Sequence, residues 1–184
     1  MRIRAHSAFG LLAAAAILQA VVLWRRSIPR IPEGPTLGDT LPALRTYAVP
    51  SDELIQLGNG ASEVDSCTVV VAISTTCGVC ALMRDQWNEK YSHWLDTVGA
   101  PVRAVWVAAA ESDTLQAFLD GSGLLDAVGL ARMRPGDPDF RTRLGVYATP
   151  TVYLLDQHDK LRIGSLGFNL PPVDSAAQIC RTPL

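Results

Sequence analysis

The chain has 184 residues, 48% hydrophobic and 18% charged, a composition that excludes a disordered or collagen-like chain and allows one cored domain with an appendage. Residues 1–30 hold five of the sixteen basic residues and none of the eighteen acids, so the rest of the chain carries eleven basic against eighteen acidic groups, a net charge of −7. An acidic domain on a basic stem argues against nucleic acid as the partner, because phosphate binding needs a basic face.

Ala5 to Trp24 is a run of twenty residues without Asp, Glu, Lys or Arg. As a helix it rises about 30 Å, one hydrocarbon thickness, and Trp24 followed by Arg25 and Arg26 suits a membrane interface. The reading is an N-terminal transmembrane anchor over residues 1–26. A cleavable signal peptide is the competing reading, but Val21-Val22-Leu23-Trp24 carries the apolar run past any small-residue cleavage site. A buried soluble helix fits poorly, since no face is polar. Arg2 and Arg4 on one side nearly balance Arg25, Arg26 and Arg30 on the other, so charge does not orient the anchor. The cysteine chemistry does: it suits an oxidising compartment, which puts the amino terminus inside and the domain on the extracytoplasmic, periplasmic side of the cell membrane.

Pro29, Pro32, Gly34, Pro35 and Gly38 mark residues 27–39 as a linker, and the domain is expected over 40–184. Leu54–Leu57 before Gly58-Asn59-Gly60 reads as a short strand and turn. Cys67–Ile73 is continuously apolar and rich in β-branched residues, as in a strand buried on both faces. Gly78–Val98 reads as a helix, with Met83, Trp87, Tyr91, Trp94 and Val98 forming one apolar stripe and Gly99 and Pro101 ending it. Val102–Ala108 is a second buried strand. Ser112 is positioned to cap a helix through Leu119. Asp137-Pro138 begins another, ending near Gly145. Thr151–Leu155 and Leu161–Leu166 flank a polar turn, a hairpin signature, and Pro172–Cys180 closes as a short helix. Alternating β and α elements imply an α/β fold with a parallel core, the hairpin adding antiparallel strands.

Cys77-Gly78-Val79-Cys80 stands where the central strand gives way to the long helix. A cysteine there faces unpaired backbone N–H groups and the positive end of the helix dipole, which favour thiolate over thiol. Two intervening residues bring the second sulfur within reach across one turn. Cys77 is therefore the expected attacking thiolate and Cys80 the resolving thiol. Half a zinc site uses the same spacing, but Cys67, Cys180, His93 and His158 supply no second tight pair, so no metal or other cofactor is expected.

These features resemble the thioredoxin superfamily, and within it the membrane-anchored TlpA/ResA-like thiol–disulfide oxidoreductases. Gly38-Asp-Thr-Leu-Pro42 looks like the family's opening segment, Val69–Ile73 with Cys77–Cys80 like its strand and active-site turn, and Leu144-Gly-Val-Tyr-Ala-Thr-Pro-Thr151 like its cis-proline segment. The likeness spans about residues 36–180, and the stretch between Cys80 and Pro150 fits the subgroup's extra strand and helix. It implies a thioredoxin-like fold, a central mixed sheet flanked by helices. It also implies a cis bond before Pro150, with Thr149 offering its backbone to an extended substrate peptide. The implied partners are protein thiol and disulfide substrates and a DsbD/CcdA-like membrane electron donor. The chain departs from the family in several places. Ser74-Thr75-Thr76 replaces the usual aromatic approach, no proline separates the cysteines, and Val71 and Met83 stand where the family places acids. The proton acceptor for Cys80 is therefore unassigned, since nothing shows that Asp85 or Glu111 reaches it, and so is the redox direction.

Cys67 and Cys180 leave two arrangements open: a structural disulfide closing a loop of more than one hundred residues, or two separate thiols with Cys67 a small buried hydrophobe. His93 and His158 read as surface residues, and Trp87 and Trp94 as core. Two other functions compete with disulfide exchange. Ser74-x-x-Cys77 echoes the peroxidatic motif of a thiol peroxidase, though the expected proline is missing. A non-catalytic thioredoxin-like binding or metal-delivery module is the third reading.

Overall fold

The computed structural model describes residues 17–19, 34–59, 66–122 and 129–181. The chain divides into two units, residues 1–32 and 33–184. In the first only 17–19 are described, as helix, so the anchor expected over 1–26 otherwise lies outside the described residues. No helix among the described residues is long and apolar enough to cross a membrane.

The second unit runs β1 (Leu44–Ala48), β2 (Leu54–Leu57), β3 (Cys67–Ile73), α1 (Gly78–Val98), β4 (Val102–Ala109), α2 (Ser112–Leu119), β5 (Gly129–Met133), α3 (Asp139–Thr142), β6 (Thr151–Leu155), β7 (Leu161–Leu166) and α4 (Val173–Arg181). The strands form one sheet in the order β2-β1-β5-β4-β3-β6-β7. β3, β4 and β5 are parallel, while β6 and β7 continue antiparallel from β3, and β1 and β2 antiparallel from β5. The parallel core with an antiparallel closing hairpin agrees with the sequence reading.

β3 organises both faces of the sheet. All seven of its residues are buried. Val69, Val71 and Ile73 point into a cluster with Trp87, Tyr91 and Trp94 of α1, Leu115 and Leu119 of α2 and Ala176 of α4. Val70 and Ala72, on the alternate pleat, join Leu41, Leu44, Phe140 and Leu144 on the other face. A strand covered on both sides needs apolar residues at every position, which is why its pattern is continuous.

β1 and β5 were not expected, and each hides behind a buried polar residue. Thr46 in β1 is fully buried, and its hydroxyl donates to the Ile55 carbonyl across the hairpin (3.0 Å). Arg132 in β5 is buried because Asp52, in the β1–β2 turn, meets its guanidinium at 2.8 Å. That turn holds a cis Val49–Pro50 bond and places Asp52 at φ +57°. Two helix readings also shift. Ser112 is the first helical residue and not the cap; Glu111 holds the cap position, and the Ser112 hydroxyl accepts from Gln116. The helix read from Asp137 to Gly145 is confined to α3, whose start is held by the Asp137 carboxylate accepting from the Asp139 N–H at 2.9 Å.

Residues 34–39, the end of the segment read as linker, lie against the domain. The Gly38 N–H donates to the Leu161 carbonyl at 2.7 Å. Gly34 and Gly145 touch backbone to backbone: a Cβ on Gly145 would sit 2.7 Å from the Gly34 Cα, and Gly145 has φ +70°. Only glycine fits on either side of that contact.

The arrangement left open for the remaining cysteines is resolved as a disulfide between Cys67 and Cys180, with Cα atoms 5.5 Å apart and 113 residues of separation. It ties α4 to the start of β3. Next to it, Arg181 donates to the carbonyls of Val98 and Gly99 at 3.0 and 3.3 Å. α1 has no basic residue in its own last turn, so α4 brings the cation that complements its C-terminal end. A Cys67→Ala/Cys180→Ala double variant is expected to lose about 5 kcal/mol of stability, as chain-entropy arguments give for a loop of this length. Denaturant unfolding checks this, and an unchanged midpoint would contradict it.

Candidate active site

α1 begins where β3 delivers the chain, and Cys77 is its N-cap residue, with extended dihedrals (φ −82°, ψ 111°). Its sulfur accepts the Cys80 N–H at 3.2 Å, so the thiol occupies the place where Ser or Asp usually caps a helix. No acid lies in the first turn of α1 to compete with a thiolate for those donors. Cys77 is half-buried and Cys80 fully buried, and neither is in a disulfide.

The second wall comes from the segment before β6. The Thr149–Pro150 bond is cis, as the family resemblance implied, and the Cys77 S–H donates to the Thr149 carbonyl at 3.2 Å. The two sequence motifs, 72 residues apart, thus meet at one point. The Gly167 N–H donates to the Pro150 carbonyl at 2.8 Å and Thr151 pairs with Leu166, so the hairpin pins this segment in place.

Environment separates the two sulfurs. Partial burial pushes the Cys77 thiol up. Its hydrogen bond with the Cys80 side chain, the Thr149 hydroxyl and the N–H groups of Cys80 and Val79 outweigh that, and the net shift is downward. The Thr149 carbonyl, which accepts only from the S–H, favours the neutral thiol. Cys80 is pushed up to about 11, first by burial and then by the neighbouring Cys77 sulfur. One thiol is primed to ionise and its partner to keep its proton, the division of labour that dithiol exchange needs.

The flanking residues fall largely where the sequence placed them. Val71 is buried in mid-strand and Met83 packs at the edge of the same core. Asp85 pairs with Arg84 at 2.9 Å, and Glu111 lies 4.0 Å from Arg132, so neither acid is committed to Cys80. His93 and His158 are exposed, and Trp87 and Trp94 are core. Among the described residues no group of three or more metal-ligating side chains gathers.

The sequence reading missed a cleft of about 460 Å³ beside Thr149, lined by Ser74, Asp137, Phe140, Arg141 and Tyr147 among others. Its only sequence signal is the run of arginines over 132–143, which by itself reads as solvated surface.

No family model matches the chain, and no curated protein matches it. Solved structures do. A protein described as a DsbE-type thiol:disulfide interchange protein of Chlorobium tepidum superposes with a TM-score of 0.55 at 20% identity, covering 78% of this chain and 93% of that one. The fold is thioredoxin-like. A secreted disulfide oxidoreductase of Mycobacterium tuberculosis, homologous to DsbE of E. coli, matches at TM-score 0.52 and 14% identity, covering 74% of this chain and 93% of its own. A thiol peroxidase of Chromobacterium violaceum matches at 0.54 and 18%, covering 74% and 79%. The thioredoxin-like fold is thus shared with both exchange enzymes and a peroxidase, and the geometry of this chain's own dithiol must choose between them.

Treatment of the reduced protein with iodoacetamide at neutral pH, followed by peptide mass mapping, is expected to label Cys77 and leave Cys80 unlabelled. Cys80 should become reactive only as the pH approaches about 11. Equal labelling of both at neutral pH would contradict the separation.

Proposed function

We propose that this chain is a TlpA/ResA-like thiol–disulfide oxidoreductase acting on protein thiols and disulfides. One observation carries the reading. A half-buried thiol caps α1, a fully buried thiol follows one turn later, and the first lies 3.2 Å from the backbone of Thr149. Cys77 thiolate attacks one sulfur of a client disulfide and expels the other as a thiolate, forming a mixed disulfide. Cys80 then loses its proton and attacks the Cys77 sulfur. The client leaves reduced, and Cys77–Cys80 is left oxidised. Thr149, with Pro150 beside it, presents backbone to an extended client by strand addition. Cys67–Cys180 is structural, far along β3 from the dithiol.

The cellular setting is part of the same proposal. The apolar run over Ala5–Trp24 and the arginines after it support residues 1–26 as a single-pass anchor, with residues 27 onward leading into the domain. A second disulfide outside the dithiol suits an oxidising, extracytoplasmic location. A membrane electron donor of the DsbD/CcdA kind would return the dithiol to its reduced form.

Thiol peroxidase is the second reading, favoured by the peroxidase among the structural neighbours. Against it, the Ser74 hydroxyl is engaged at 3.0 Å with the Thr76 hydroxyl and also accepts the Thr76 N–H, so it is directed along its own turn. The reduced protein is expected to reduce insulin disulfides, and a Cys80→Ser variant to accumulate mixed disulfides with proteins through Cys77. Rapid peroxide consumption with no insulin reduction and no trapped protein would overturn this reading in favour of the peroxidase.

A further inference from the structure

The 460 Å³ cleft lies within the range of small-molecule sites, about 300–1,000 Å³. It opens at the carboxyl ends of β3 and β4, with Ser74 and Ala109 in its lining, where parallel sheets commonly receive ligands. It also shares residues with the dithiol. Thr149 lines the cleft and accepts the Cys77 S–H; Ser74 lines it and accepts the Cys77 N–H at 3.1 Å. Cys77 is not itself in the lining, but a molecule seated there meets two residues that contact it.

The charges of the cleft narrow what that molecule is. Four arginines lie in the segment 132–143, and three are engaged within the fold. Arg132 pairs with Asp52 at 2.8 Å, Arg134 sits over the Tyr47 ring at 5.4 Å, and Arg143 pairs with Asp139 at 3.2 Å. Arg141, which lines the cleft, has no side-chain partner among the described residues. Four residues before it, Asp137 also lines the cleft, uses Oδ1 to accept the Asp139 N–H at 2.9 Å and keeps Oδ2 without a partner among the described residues. No ion pair joins Asp137 and Arg141 there. The cleft therefore presents one uncommitted cation and one uncommitted carboxylate oxygen, and it shares Thr149 and Ser74 with the surroundings of the Cys77 thiol. The complement is a small molecule bearing a carboxylate and an ammonium group close to a sulfur. An internal stretch of polypeptide carries neither terminal group and could meet this pattern only through a suitably spaced pair of charged side chains.

We propose that the cleft is a substrate site for amino-acid-type low-molecular-weight disulfides, with Arg141 holding the carboxylate and Asp137 the ammonium group. The proposal rests on the dithiol exchange proposed above and adds a second substrate class to it. Cys77 thiolate attacks the near sulfur of the small disulfide, its S–S bond breaks, and one thiolate departs and is protonated. The Cys80 sulfur gives up its proton and attacks Cys77, releasing the second small thiolate, which takes that proton. Two protein thiols are oxidised to one disulfide, and one small disulfide is reduced to two thiols.

The test follows loss of protein thiols in the pre-reduced full chain with three oxidants: cystine, the uncharged hydroxyethyl disulfide, and insulin. Arg141→Ala and Asp137→Asn are each expected to slow the reaction with cystine about ten-fold, as loss of one charge-assisted hydrogen bond implies, and to change the hydroxyethyl disulfide rate less than about two-fold. Arg141→Lys should recover part of the loss. Asn at 137 keeps an oxygen to accept the Asp139 N–H, so the start of α3 survives that substitution. Equal effects on cystine and hydroxyethyl disulfide, or no effect on either, would overturn the proposal. A larger effect on insulin than on cystine would also overturn it and assign the cleft to a protein client. Insulin reduction by a wild-type protein that ignores cystine would overturn this site alone; failure with all three oxidants would overturn the exchange reading beneath it.

Discussion

The start of α1 is the constraint on which the rest depends. A helix leaves its first N–H groups without intrahelical partners, and here a sulfur takes the capping place that an oxygen usually fills. The Cys80 N–H, 3.2 Å from the Cys77 sulfur, is both the cap that fixes where the helix begins and a donor that favours the thiolate. One contact therefore sets a local structure and a reactivity together. Burial then divides the pair, because the same turn that exposes Cys77 at the helix end carries Cys80 under the sheet.

The rest of the domain holds that helix end against Thr149. β3 delivers Cys77 just past its carboxyl end, and β6, antiparallel to β3, begins beside it after Pro150. At the far end of α1, Arg181 binds the terminal carbonyls, and the Cys67–Cys180 bridge keeps α4 in position to do so. The long helix is thus stabilised at its two poles by groups matched to its dipole, a thiol at one and a guanidinium at the other.

Much of this was legible in the residues. β3 and β4 announce themselves because a strand buried on both faces has no polar positions to blur it. α1 does so because its stripe of five residues repeats through about four turns. The dithiol and the Thr149–Pro150 segment stood out as motifs, though only the folded chain shows them in contact. β1 and β5 were hidden because their buried Thr46 and Arg132 are satisfied by Ile55 and Asp52, partners that no local pattern reveals. The cleft was hidden for a related reason. Arg141 looks like its neighbours in sequence, and what distinguishes it is that Arg132, Arg134 and Arg143 each found a partner across the fold.

The central claim is that the cap at Cys77 favours the charged sulfur. Titrating thiolate absorbance in the Cys80→Ser variant tests it most directly, because the Cys67–Cys180 bridge leaves Cys77 as the single titrating thiol. The account predicts a midpoint clearly below that of an ordinary cysteine, about 8.5. A midpoint at or above that value would contradict it.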